Sequence, residues 1–135
     1  MMEESQDWIF VGEVKLSEDF LDHHGKWLIY GSKKFIENSA QKLLPIIGKC
    51  GIEQIKYSKS SAMKVPEGYS PEDHVLVVFC DDRDKTRVRK VLEKRVKGGE
   101  FFWKYNRETL REFIEKGGKV EEEILEKLRK YYPQL

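Results

Sequence analysis

Three lysines stand in or beside segments that read as strands: Lys26 ahead of Trp27-Leu28-Ile29-Tyr30, Lys64 within Ala62-Met63-Lys64-Val65, and Lys104 after Phe101-Phe102-Trp103. A strand side chain projects from one face of its sheet. Three lysines on a shared face would form an anion site and supply an amine able to act as a base. The plainer alternative for each is an edge lysine whose stem covers apolar surface while its ammonium stays in water. Aromatic residues gather around the same segments, at Trp8, Phe10, Trp27, Tyr30, Phe101, Phe102 and Trp103. They could line a ligand cleft or stack on a planar ligand, or else fill the core. A further basic row, Arg83, Arg87, Lys90, Lys94 and Lys97, runs at helical spacing. It suits phosphates or an acidic peptide, or an ordinary solvated helix face paired with neighbouring acids.

Other chemistries find no support in the residue pattern. The sequence has no phosphate loop, no dinucleotide glycine fingerprint and no Cys-x-x-Cys pair. His23, His24, Cys50 and Cys80 are zinc-ligand types, yet their spacing is not that of a zinc site. Cys80 ends an apolar run and makes a weak nucleophile candidate. Nothing in these spacings asks for a metal ion or an organic cofactor. Two isolated cysteines read as small core residues in a reducing, cytoplasmic setting. Net charge is +1, from 25 basic and 24 acidic residues, so nothing global demands nucleic acid or an anionic membrane. No apolar run approaches the roughly 18 residues of a membrane span, and the polar start Met-Met-Glu-Glu-Ser-Gln is not a secretory signal. Charged residues make up 36% of the chain, the bias that surface ion-pair networks at high temperature produce, so a thermophilic source is expected.

The elements that would position the lysines follow from periodicity and punctuation. Residues 1–6 read as a flexible tail and 7–135 as a single α+β domain, with a C-terminal helix within 119–135. Trp8 to Val11 starts the ordered part, and Asp19 to His24 is a short helix or loop. Gly25 and Gly31 bound a strand over Lys26–Tyr30, after which Ser32 can cap a helix. Phe35, Ile36, Ala40, Leu43, Leu44 and Ile47 make that helix's apolar face. Strands are expected over Glu53–Ser58, Ala62–Val65 and His74–Cys80. The unbroken apolar run of the last marks a central strand. A helix with Val88, Val91, Leu92 and Val96 inward follows Asp81, Asp82 and Asp84, whose carboxylates suit its N-terminus. Phe101-Phe102-Trp103 opens another strand, and Asn106 can cap the helix carrying Leu110, Phe113 and Ile114. The order predicts a mostly antiparallel sheet with helices packed on one face and the other face free to bind.

The series Gly25-Lys26-Trp27-Leu28-Ile29-Tyr30, Ala62-Met63-Lys64-Val65, His74 to Phe79 and Trp103-Lys104-Tyr105 resembles the basophilic-leukaemia-expressed (Bles) protein domain over about residues 8–115. That resemblance implies a fold like the cap-binding translation initiation factor 4E. More distantly, the chain is similar to bacterial phosphothreonine lyase effectors, which remove phosphate from phosphothreonine by β-elimination. In those enzymes a lysine base takes the α-proton, a histidine acid assists the leaving group, and Arg and Lys clamp the phosphate. Carried over, the likeness makes Lys64 the base and Lys26, Lys104, Arg107 and Arg111 the phosphate holders. Trp27 and Trp103 are the candidate stacking residues. Leu28 stands where the acid histidine belongs. Two functions from different classes are thus expected: a phosphothreonine-lyase-like enzyme, or a non-catalytic module binding phosphopeptide, nucleotide or RNA. A third reading gives the C-terminal helix a role in assembly, its stripe Val120, Ile124, Leu128 and Tyr131 packing either on the domain or on a second copy.

Overall fold

A computed structural model describes residues 2–14 and 19–135. Its six strands are β1 (Met2–Glu4), β2 (Trp8–Gly12), β3 (His24–Gly31), β4 (Gln54–Ser58), β5 (His74–Asp81) and β6 (Phe102–Tyr105). They form one open sheet in the order β1-β2-β4-β5-β3-β6, with every neighbouring pair antiparallel. The α-helices among the described residues are α1 (Phe20–His23), α2 (Lys33–Leu43), α3 (Lys85–Arg95), α4 (Asn106–Glu115) and α5 (Glu122–Arg129). None of them is long and apolar enough to cross a membrane.

Period-two alternation divides the sheet into two unlike faces. Trp27, Ile29, Ile55, Tyr57, Leu76, Val78 and Cys80 point one way, into a core shared with Ile36, Ala40 and Leu43 of α2 and Val88 and Leu92 of α3. Fully burying an Ile, Leu or Val side chain contributes about 1.5–3 kcal/mol, so this layer dominates the stability. The apolar run of β5 lies where it was expected, between β4 and β3 in the interior of the sheet. The Ser32 hydroxyl accepts from the Phe35 amide and caps α2. Pro45 falls in the 3-10 turn Leu44–Ile46 that closes it. The Trp103 indole crowds Gly25, where a Cβ would meet its Cζ2 at 2.3 Å, so only glycine fits.

Several local expectations need correction. Residues 2–4, read as part of a flexible tail, form the edge strand β1, with Glu3 opposite Phe10; Met1 lies outside the described residues. Residues 62–65 are not a strand. They bend through a loop, tied by the Ala62 amide donating to the Asp73 carbonyl at 2.8 Å. Asn106 is not the cap of α4 but its first residue, with Tyr105 at the N-cap position and no side-chain cap. The helices do not all share one side. α2 and α3 cover the core face, whereas α4 turns back so that its Thr109 and Glu112 meet Lys26 and Lys104 of the opposite face. α5 packs on its own domain: Leu128 is fully buried, and the Tyr131 hydroxyl donates to Asp22.

The two cysteines differ sharply. Cys50 is exposed, whereas Cys80 is sealed in the core. Burial, reinforced by the negative charge of Asp84, pushes the Cys80 thiol up to about 12. Since the thiolate is the reactive form, iodoacetamide is expected to add a single label, on Cys50, to the native protein. Labelling of Cys80 before denaturant is added would contradict its placement.

Candidate functional site: a lysine-lined cavity

The face turned away from α2 and α3 carries one buried lysine, Lys26, and two half-buried ones, Lys56 and Lys104. Register places Lys26 of β3 directly opposite Lys104 of β6 and, on its other side, opposite Phe79 of β5. Lys56 of β4 lies opposite Val77 of β5 and Phe10 of β2, and therefore projects from the same face. Above them opens a cavity of about 350 Å³, within the range of small-molecule sites. Its floor holds Lys26, Leu28, Tyr30, Lys56, Val75, Val77 and Lys104. One wall is Asp7 and Trp8 with the loop residues Ser60, Ser61, Met63 and Lys64, and Thr109 of α4 stands on the far side.

Like charges directly opposite across a ladder are destabilising, so the Lys26–Lys104 pair needs compensation. Lys104 has it: its ammonium bonds the Glu112 carboxylate at 2.8 Å, and that bond holds Glu112 below its ordinary value. Lys26 does not have the same relief. It is only 8% exposed, and its Nζ donates to the Thr109 hydroxyl at 2.7 Å. Among the described residues no carboxylate lies within salt-bridge distance of Lys26 or Lys56. Burial, then the nearby charges of Lys56 and Lys104, lower Lys26 to about 8, against the opposing pull of Glu112 and Glu108. Burial lowers Lys56 as well. The Lys56 ammonium rests 4.1 Å from the centre of the Trp8 ring and about 6 Å from those of Phe10 and Phe79. This is a partly apolar pocket with excess positive charge, suited to an anion and to an amine that gives up its proton near neutral pH.

Of the residues singled out in the sequence, Lys26, Lys64 and Lys104 line the cavity, Lys64 from the exposed loop rather than from a strand. Arg107 is elsewhere. Its guanidinium donates to the Leu21 and Asp22 carbonyls and lies 3.8 Å from the Tyr105 ring centre and 4.1 Å from that of Tyr131, stapling α4 to α1 and the C-terminus. Arg111 pairs with Glu115 on its own helix. Trp27 and Trp103 project into the opposite face, packed edge to face at 5.2 Å, and the Trp27 Nε1 donates to the Lys85 carbonyl. They hold α3 to the sheet instead of facing the cavity. Leu28 does line it. His24 and His74 do not line it: His24 packs on Phe20 and sits 3.6 Å from Glu53, and His74 donates to the Ser58 carbonyl.

The sequence reading missed Lys56. The signal was present, since Ile55-Lys56-Tyr57 alternates and the two apolar neighbours must face the core. It also missed that Trp8, not Trp27, is the cavity's tryptophan. Zinc finds no site in the suspected quartet. Among the described residues the one group of His, Cys, Asp and Glu tight enough for a cation is His23, Asp81 and Asp82. There His23 already bonds Asp82 at 2.8 Å and Asp81 is taken by Arg83. The basic row, which begins in the 3-10 turn Asp82–Asp84 and continues along α3, is likewise partly paired, Arg83 with Asp81 and Asp19 and Arg87 with Asp84.

The chain matches no protein-family model, no curated protein and no solved structure.

For an anionic ester held on the cavity floor, Trp8→Ala is expected to weaken binding about tenfold, the loss of one good aromatic contact. Removing the indole opens the wall and releases the Lys56 ammonium from its ring. Calorimetric titration of the variant checks this, and an unchanged affinity would place the ligand away from that wall.

Proposed function

We propose that the cavity binds a phosphate ester and that the chain is a phosphothreonine-lyase-like protein, eliminating phosphate from a bound phosphothreonine. The convergence of Lys26, Lys56, Lys64 and Lys104 on one cavity carries the reading. In this account Lys26, the most buried of the four, takes the proton from the α-carbon. The electron pair left behind forms the Cα–Cβ double bond as the Cβ–O bond breaks, and phosphate departs with that oxygen. Lys56 and Lys104 offset the charge of the departing phosphate, which lets the reaction proceed without an imidazole donor. The base role thus passes from Lys64 to Lys26, because a buried amine with lowered affinity for its proton is the better base near neutral pH.

One observation favours the second reading, a non-catalytic module for phosphopeptides or other anions: Leu28, not a histidine, faces the cavity beside Lys26. Incubation with phosphothreonine peptides, followed by mass spectrometry, separates the two. Dehydrobutyrine in the product, absent with Lys26→Met and retained with Lys64→Met, is the expected result. Peptides returned intact but retained by the protein would favour the binding module, and peptides neither altered nor bound would remove both.

A further inference from the structure

From the placement of its amine on the floor of a partly apolar cavity between two other cations, we infer that Lys26 is also a nucleophile that captures aldehydes or ketones carrying an anionic group, as an imine. The inference rests on the cavity being an anion site, but it adds a covalent chemistry that elimination does not require.

Three features of the site point to it. The amine is held by a neutral hydroxyl, Thr109 Oγ1, which accepts one proton and leaves the nitrogen free of a carboxylate partner at contact distance. Its surroundings are the Phe79 ring, 5.7 Å from Nζ, and the aliphatic floor of Leu28 and Val77. The charged groups facing it are Lys56 from β4, Lys104 from β6 and the more distant Glu108 and Glu112 from α4. Desolvation and cationic neighbours are the two environments that activate lysine toward carbonyl carbon. Surface lysines of this chain, such as Lys90 and Lys94, are exposed and lack the desolvation.

The step balances without a further reactant. The nitrogen lone pair attacks the carbonyl carbon, the π pair moves to oxygen, and a proton passes from nitrogen to that oxygen to give a carbinolamine. Loss of water leaves the imine. The ligand's anionic group would lie against Lys56 and Lys104, and its carbon frame against Trp8 and Tyr30.

The probe is pyridoxal 5′-phosphate at neutral pH, with sodium borohydride reducing the imine to a stable secondary amine, followed by intact mass and peptide mapping. One adduct is expected, on Lys26, formed about tenfold or more faster than on any other lysine, because at pH 7 roughly a tenth of an amine titrating near 8 is already neutral. Pyridoxal, which lacks the phosphate, should react more slowly, and inorganic phosphate should slow the phosphorylated probe. Lys26→Arg, which keeps the charge but cannot form the imine, should lose the adduct. Mapping on the wild-type protein stands even if a variant fails to fold. Label spread over exposed lysines with no preference for Lys26 overturns the inference. If phosphate binds by calorimetry yet Lys26 stays unlabelled, the imine chemistry falls and the anion site stands. If Lys26 is labelled equally fast by both probes and phosphate does not compete, the nucleophile stands and the anion site falls.

Discussion

Lys26→Met is expected to abolish turnover of a phosphothreonine ester and, in the same molecule, to make the fold more stable at pH 7. The two effects have one cause. Lys26 holds its charge in a cavity that disfavours it, with Lys104 opposite and Lys56 across β5. Removing a base of this kind costs about 10²–10⁴-fold in rate. The stability gain follows from linkage. The unfolded chain holds the lysine proton up to the ordinary value of 10.5, whereas the folded chain releases it at about 8. Below pH 8 both states are protonated and the folded state carries the full penalty. Between about 8 and 10.5 the unfolded state binds more protons, so wild-type stability rises with pH. The penalty at pH 7 is on the order of 3 kcal/mol, and methionine removes it. Urea unfolding at pH 7 and pH 10 checks this: the advantage of the variant should be largest at pH 7 and shrink by pH 10. A variant that is less stable at pH 7 would mean Lys26 is an ordinary structural lysine.

Trp27→Ala should do the reverse, costing stability while leaving the cavity's chemistry intact in the molecules that remain folded. Trp27 is 3% exposed on the core face. Its indole packs against Trp103, donates to the Lys85 carbonyl, and lies under the Lys85 and Arg89 cations. Truncating a buried tryptophan of this kind costs about 3–5 kcal/mol, a large share of the total stability of an ordinary domain. Denaturant unfolding reads the loss. Calorimetry below the transition reads the affinity for O-phosphothreonine, which should stay within about twofold of wild type. A weaker ligand affinity with little change in stability would put Trp27 in the ligand site after all.

The contrast between these two neighbours also shows how much the sequence disclosed. Lys26 and Trp27 are adjacent in one strand, as are Trp103 and Lys104 in another, so alternation alone puts each pair on opposite faces. A face that gathers the lysines must exclude both tryptophans. Read that way, the strand around Lys56 belongs with Lys26 and Lys104, and Trp27 belongs with the core. The Ser32 cap and the central apolar strand were legible for the same local reasons: Ser32 before an amphipathic helix, and seven residues without a charge from His74 to Cys80. What local pattern could not show is which strands pair. That β3 lies between β5 and β6, and that the tail residues Met2–Glu4 add an edge to β2, are outcomes of long-range packing. The path of residues 59–73 is also set by tertiary contacts. Its Ala-Met-Lys-Val stretch looks like a strand by composition, yet it bends over the cavity and delivers Lys64 as a rim residue. Arg107 was open to misreading for a different reason: a basic residue at a helix start suits an anion, and here it is spent on two backbone carbonyls and two tyrosine rings.

The measurement that bears most directly on the cavity is an NMR titration of the lysine Cε resonances, with and without O-phosphothreonine. A lysine titrating near 8, absent from the spectrum of Lys26→Met, is the predicted result, and its midpoint should move upward on adding ligand because a bound phosphate stabilises the ammonium. Lysines that all titrate in the ordinary range, with no response to ligand, would contradict an anion site built around Lys26.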